Sequence, residues 1–214
     1  MSKKMLVIAP HADDEVLGCA GAIQHYKKEG YEIFVNIVSN RILNHTIDKE
    51  HIVNTKKCTE EVAKLLGIKN VSYCDLNDEQ LDNRLIDIIV PLEAVINNVN
   101  PNIVFVPNIT DTDQDHRSVA NACLVACRSI STVFSYEIPG PSIDFQPNYY
   151  LDIEQYFNLK ITAMEKYSDE WRTYPHPRSP EGIKVVAQYR GIQSGFNYAE
   201  AYKLIKRNEK SMNK

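Results

Sequence analysis

Residues 4–38 read KMLVIAPHADDEVLGCAGAIQHYKKEGYEIFVNIV, and the change of hydrophobic period along this stretch decides the fold. Residues 4–9 are an apolar run closed by Pro10, the pattern of a strand buried on both faces. Over residues 15–29 the period lengthens: Val16, Leu17, Ala20, Ile23 and Tyr26 recur at helical spacing, and Gly30 stops the helix. A second apolar strand follows from Tyr31 to Val38. Strand, helix and strand in this compass make a βαβ unit, whose crossover is almost always right-handed.

The alternation continues outward. The spacing predicts helices at about 50–66, 84–99 and 116–130, and strands over 71–74, 103–106 and 132–136. Pro91 falls inside the third helical stripe, so that helix is expected to kink or to start later. The fold class this implies is α/β: a Rossmann-like open, mostly parallel sheet with helices on both faces. Beyond Tyr136 the rhythm breaks into a C-terminal elaboration. Its expected parts are a Pro-rich loop (137–149), a strand (149–153), a helix (154–167), a Pro- and charge-rich segment (168–182), then helices over about 182–207. Nothing divides the chain, so residues 1–207 read as one domain and 208–214 as a polar tail.

Composition narrows the function. The 214 residues are 43% hydrophobic and 24% charged, as in a globular chain rather than a disordered one. A net charge of −4 speaks against a nucleic-acid binder. No apolar run approaches the roughly 20 residues that span a bilayer, and His11, Asp13, Asp14 and Glu15 interrupt a signal-like start. Five cysteines without a CxxC read as reduced thiols, and the expected location is the cytoplasm.

In such a sheet, ligands bind beyond the carboxyl ends of the strands. Strand 4–9 leads into His11-Ala12-Asp13-Asp14-Glu15, and strand 103–106 into Asp111-Thr112-Asp113-Gln114-Asp115-His116. If the two strands are neighbours, His11, Asp13, Asp14, Asp113, Asp115 and His116 converge. Unpaired carboxylates repel one another, and a divalent cation removes that conflict. Two imidazoles and one carboxylate leave an open position, as in catalytic zinc sites. The competing reading is that these aspartates cap helices and complement their dipoles. Two such clusters at two strand ends favour the metal.

The same residues carry a family resemblance. Ala9-Pro10-His11-Ala12-Asp13-Asp14-Glu15 resembles the AHPDDE motif of the PIG-L/LmbE-type N-acetylglucosaminyl deacetylases, and Asp115-His116-Arg117 resembles their second motif. Tyr136-Glu137-Ile138-Pro139, Pro175-His176-Pro177-Arg178-Ser179 and Gly191 to Ala201 are similar to later family segments. The resemblance implies a zinc-dependent hydrolase that removes an acetyl group from an amino-sugar nitrogen. By position His11, Asp14 and His116 match zinc ligands, with Fe2+ as the other candidate metal, and Asp13 matches the general base. The implied partner is a small amino-sugar substrate, with no nucleic acid, no membrane, and room for a homo-oligomer.

Departures from the family pattern mark the remaining candidates. Asp113 stands where many members carry a histidine that stabilises the oxyanion or donates a proton. His176 is the expected catalytic substitute, and Asp113 and Arg178 are expected to grip substrate. Two alternatives stand beside the deacetylase: a 2-His-1-carboxylate iron oxygenase, and an inactive carbohydrate-binding member. His25, His45 and His51 show no partner cluster and read as surface residues.

Overall fold

The computed structural model describes residues 2–40 and 49–209. Strands β1 (Lys4–Ala9), β2 (Glu32–Asn40), β3 (Asn70–Asn77), β4 (Ile103–Val106) and β5 (Thr132–Tyr136) alternate with helices α1 (Asp14–Lys28), α2 (Lys49–Leu66), α3 (Leu85–Val99) and α4 (Gln114–Ala126). After β5 come β6 (Tyr149–Asp152), α5 (Phe157–Met164), α6 (Pro180–Ser194) and β7 (Ala199–Arg207). One seven-stranded sheet has the order β3-β2-β1-β4-β5-β7-β6. The pairs among the first five strands are parallel, while β7 runs antiparallel to both β5 and β6.

The two-residue period of β1 feeds both faces. Met5, Val7 and Ala9 pack with α1, α2, α5 and α6, whereas Leu6 and Ile8 pack with α3 and α4. Pro91 lies within α3, which starts at Leu85 rather than later. Register sets the site: Met5 pairs with Ile103 and Val7 with Phe105, so β1 and β4 end side by side. Their helices depart to opposite faces, which opens the crevice of a doubly wound sheet between them.

The expected helix over 182–207 is corrected. Helix α6 ends at Ser194, Gly195 takes a left-handed conformation (φ 80°), and the chain returns as strand β7. Glu200, in that strand, reaches α1. Its Oε1 and Oε2 accept the N–H groups of Gly21 (2.9 Å) and Ala22 (2.8 Å), while Leu17 O accepts Lys160 Nζ (2.7 Å) and Gly18 O accepts Tyr202 Oη (3.2 Å). A regular helix pairs those four backbone groups with each other, four residues apart. Here a buried carboxylate, ammonium and phenol also meet them, and Lys160 and Glu200 join at 2.7 Å. Gly18 and Gly21 permit the approach: a Cβ would stand 2.3 Å from the Tyr136 ring and 2.2 Å from Ile153. Among the described residues no helix is long and apolar enough to cross a membrane.

Candidate metal centre

The turn after β1 carries His11 into the crevice, and Pro10 O fixes that turn by accepting from Ser39 N (3.0 Å) and Oγ (2.9 Å) of β2. Asp14 opens α1, and His116 lies in the first turn of α4. All three side chains are buried. His11 Nδ1, Asp14 Oδ2 and His116 Nε2 form a triangle with sides of 3.4, 3.3 and 3.3 Å. Four donors held tetrahedrally by bonds of about 2.0–2.1 Å stand about 3.3–3.4 Å apart, so the triangle has the edges of a zinc site. Asp14 Oδ1, also buried, accepts no hydrogen bond among the described residues. The donor set therefore fits a metal.

Each imidazole is backed by a carboxylate on its other nitrogen. His11 Nε2 lies 2.9 Å from Asp78 Oδ1 and 3.5 Å from Asp115 Oδ2, and His116 Nδ1 lies 3.1 Å from Asp111 Oδ2. Such partners fix ring orientation and tautomer, leaving the inward nitrogen as ligand. Burial opposes charge on both Asp14 and His116, but their mutual attraction and hydrogen bonds outweigh it. Asp14 is held well below the usual carboxylate range, and His116 is pushed up to about 10.

Asp13 occupies the N-cap position of α1, yet its carboxylate makes no capping bond. The backbone there has φ 123°, ψ −28°, a conformation that disfavours any side chain. The fully buried carboxylate instead faces Arg178, whose Nη1 is 3.3 Å from Oδ2 and 2.5 Å from Glu170 Oε2. The capping alternative thus fails for Asp13. It holds at Asp113, whose Oδ1 accepts the N–H groups of Asp115 (2.8 Å) and His116 (3.3 Å).

A cavity of about 1000 Å³ lies beside this cluster, its walls including Asp78 and Asp115, which back His11, and Asp113, Pro139, His176 and Arg178. His176 is exposed, and its Nδ1 accepts the Arg178 N–H (3.1 Å). Partial burial and the charges of Arg178 and Arg172 lower its pKa. His51 also lines the cavity. Contrary to the expectation of a surface residue, it is buried with Nδ1 3.5 Å from Asp169 Oδ2. His25 is half-buried beside Tyr26, and His45 lies outside the described residues.

Sequence reasoning passed over Asp78, Asp111 and Glu170. Asp78 directly follows β3, so its place at the carboxyl end of a parallel strand was the available signal. Glu170 offers no such signal, because only tertiary packing brings it to Arg178.

Comparison with known proteins places these residues in context. The sequence family described as PIG-L, GlcNAc-PI de-N-acetylase, matches residues 6–127. The uncharacterized deacetylase YaiS of Escherichia coli (strain K12) is 29% identical over 171 residues, covering 77% of this chain and 90% of that protein. The N,N'-diacetylchitobiose deacetylase of Pyrococcus horikoshii, solved with an inhibitor, superposes with a TM-score of 0.82 at 21% identity, covering 95% of this chain and 84% of that one. The 4-carboxy-2-hydroxymuconate hydratase of Pseudomonas putida KT2440 has the same fold, with a TM-score of 0.80 at 19% identity over 99% of this chain and 100% of that one.

Proposed function

The chain belongs to the PIG-L (GlcNAc-PI de-N-acetylase) family, and from that premise we propose that it is a zinc-dependent hydrolase removing an acetyl group from the nitrogen of an amino sugar or amino-sugar conjugate. The observation that carries this reading is the triangle of His11, Asp14 and His116 with the uncapping Asp13 at its side. Membership of a de-N-acetylase family supports hydrolysis with zinc over an iron oxygenase triad built from the same two imidazoles and carboxylate. When bound, zinc supplies Lewis acidity, which acidifies water and polarises an amide carbonyl.

The side chains then divide the work. His11, Asp14 and His116 hold the metal, and Asp78 and Asp111 orient the imidazoles. Asp13 takes the proton of the attacking water and returns it to the leaving nitrogen as the amide C–N bond breaks. His176, with its Nε2 not engaged by Arg178, stands on the cavity wall as the second acid. Asp113 and Arg178 contact the sugar: one oxygen of Asp113 caps α4, and a guanidinium has five donors, of which Asp13 and Glu170 engage Nη1. The five cysteines form no disulfide, which supports a cytoplasmic location.

The test pairs metal content with product. About one zinc per chain, lost in His116→Ala, together with acetate release from N-acetylated amino sugars that Asp13→Ala abolishes while retaining metal, is the expected result. Zinc without acetate release, but with water addition to an unsaturated acid, would replace the deacetylase by hydratase chemistry on this fold. No metal after zinc is supplied would overturn the mechanism.

A further inference from the structure

Glu15 follows the two aspartates of the site and touches neither the triangle nor the cavity walls named above. It is fully buried, pairs with no cation among the described residues, and burial raises its pKa to about 7, although a Tyr167 hydrogen bond and the Asp13 N–H favour its ionised form. A buried carboxyl group of this kind destabilises the native state unless it is well hydrogen-bonded. Its two oxygens are committed in opposite directions. Oε2 accepts the backbone N–H of Asp13 (3.1 Å), and Oε1 accepts the Tyr167 hydroxyl (2.5 Å). Tyr167 Oη lies in turn 3.1 Å from Thr59 Oγ1 of α2, and both residues are buried.

The partner of Oε2 is the residue with the strained backbone. At φ 123° the Asp13 peptide carries about 1–3 kcal/mol that surrounding contacts must offset. On its C-terminal side, Asp13 O is held by Val16 N (3.0 Å) and Leu17 N (2.9 Å). On its N-terminal side, the N–H donates to Glu15 Oε2 (3.1 Å). Were that N–H released, the residue could relax toward an ordinary cap, and its carboxylate would swing from Arg178 to the free N–H groups of α1.

We propose that Glu15, braced by Tyr167 and Thr59, is a positioning residue that holds Asp13 in its strained conformation and keeps the Asp13 carboxylate out of the helix cap. The brace joins three segments: α1, α2 and the turn after α5. It therefore ties the C-terminal elaboration, beyond the residues that match the family, to the proposed base. This inference rests on the proposed role of Asp13 for its kinetic consequence, but not for its structural one.

The test has a structural and a kinetic readout. Crystal structures of zinc-loaded Glu15→Ala should show Asp13 leaving the left-handed region, with its carboxylate on the N–H groups of α1. Glu15→Gln keeps an oxygen for the Asp13 N–H and an NH2 for the Tyr167 oxygen, and should keep the wild-type conformation. In deacetylation, Glu15→Ala should lower kcat by about 100-fold with KM and zinc content near wild type, and Glu15→Gln should recover most of it. Tyr167→Phe removes only a hydroxyl and should lower kcat by roughly 3- to 10-fold; it carries the test if the alanine variant does not fold. An unchanged Asp13 in Glu15→Ala, an unchanged kcat in Tyr167→Phe, or Glu15→Gln as impaired as Glu15→Ala, would overturn the proposal. If wild-type protein releases no acetate from any acylated sugar, the functional reading fails, while the crystal structures still decide the positioning role.

Discussion

Adjacent aspartates take different parts because the backbone turns between them: Asp13 is strained and faces Arg178, whereas Asp14 is helical and faces two imidazoles. Asp13→Asn should therefore lower turnover by about 10²–10⁴-fold with zinc retained, measured as acetate release beside metal content. Asp111→Asn acts one step further out. Without its carboxylate the His116 ring loses its orienting partner, and zinc affinity, measured by chelator competition, should fall about 10- to 100-fold. Protons compete at the same ring. Metal-free His116 is pushed up to about 10, so zinc must displace its proton, and affinity should rise steadily from pH 6 to pH 9. Glu15 has a pH signature of its own. Its folded pKa, about 7, lies above the value of 4.5 it has in the unfolded chain, so its contribution to stability is complete below pH 4.5 and is lost as pH rises through 7. The loss amounts to about 3 kcal/mol. Metal-free Glu15→Gln should escape it, and denaturant midpoints of the two proteins should diverge between pH 5 and pH 8.

Helix α1 is the element on which the site hangs, and its middle depends on side chains from distant segments. Lys160→Met would leave the Glu200 carboxylate buried beside Gly21 and Ala22 without its cation, at a cost of about 3–5 kcal/mol, read as a lower urea midpoint. The first five strands and the four helices between them were legible within a few residues, because apolar period and glycine stops are local properties. Residues 199–207 were not. Ala199, Glu200 and Ala201 are helix formers or neutral in isolation, and the reason for Glu200 lies in α1, 178 residues away. The vacant edge of β5 and the arrival of β6 turn this segment into a strand.

The order β3-β2-β1-β4-β5 puts the switch point of the whole molecule between β1 and β4, where the triangle sits. Family-matched residues 6–127 supply the candidate metal ligands, whereas Pro139, His176 and Arg178 of the cavity walls come from later segments. Because the triangle joins the turn after β1 to the start of α4, zinc should stabilise the entire fold. At a thousandfold excess over Kd the gain is about 4 kcal/mol, visible as a rise in Tm that chelation reverses and His116→Ala lacks. The alternating sheet and the residue types gathered at two strand ends, His11 to Asp14 and Asp115-His116, were legible from the chain alone, since hydrophobic period and residue type are written locally. Tertiary structure alone decided which carboxylate backs each imidazole, that Arg178 faces Asp13, and that Tyr167 reaches Glu15. His11 and Asp78 are 67 residues apart and Glu15 and Tyr167 are 152, and contacts at that separation are fixed by how the two layers pack around the sheet.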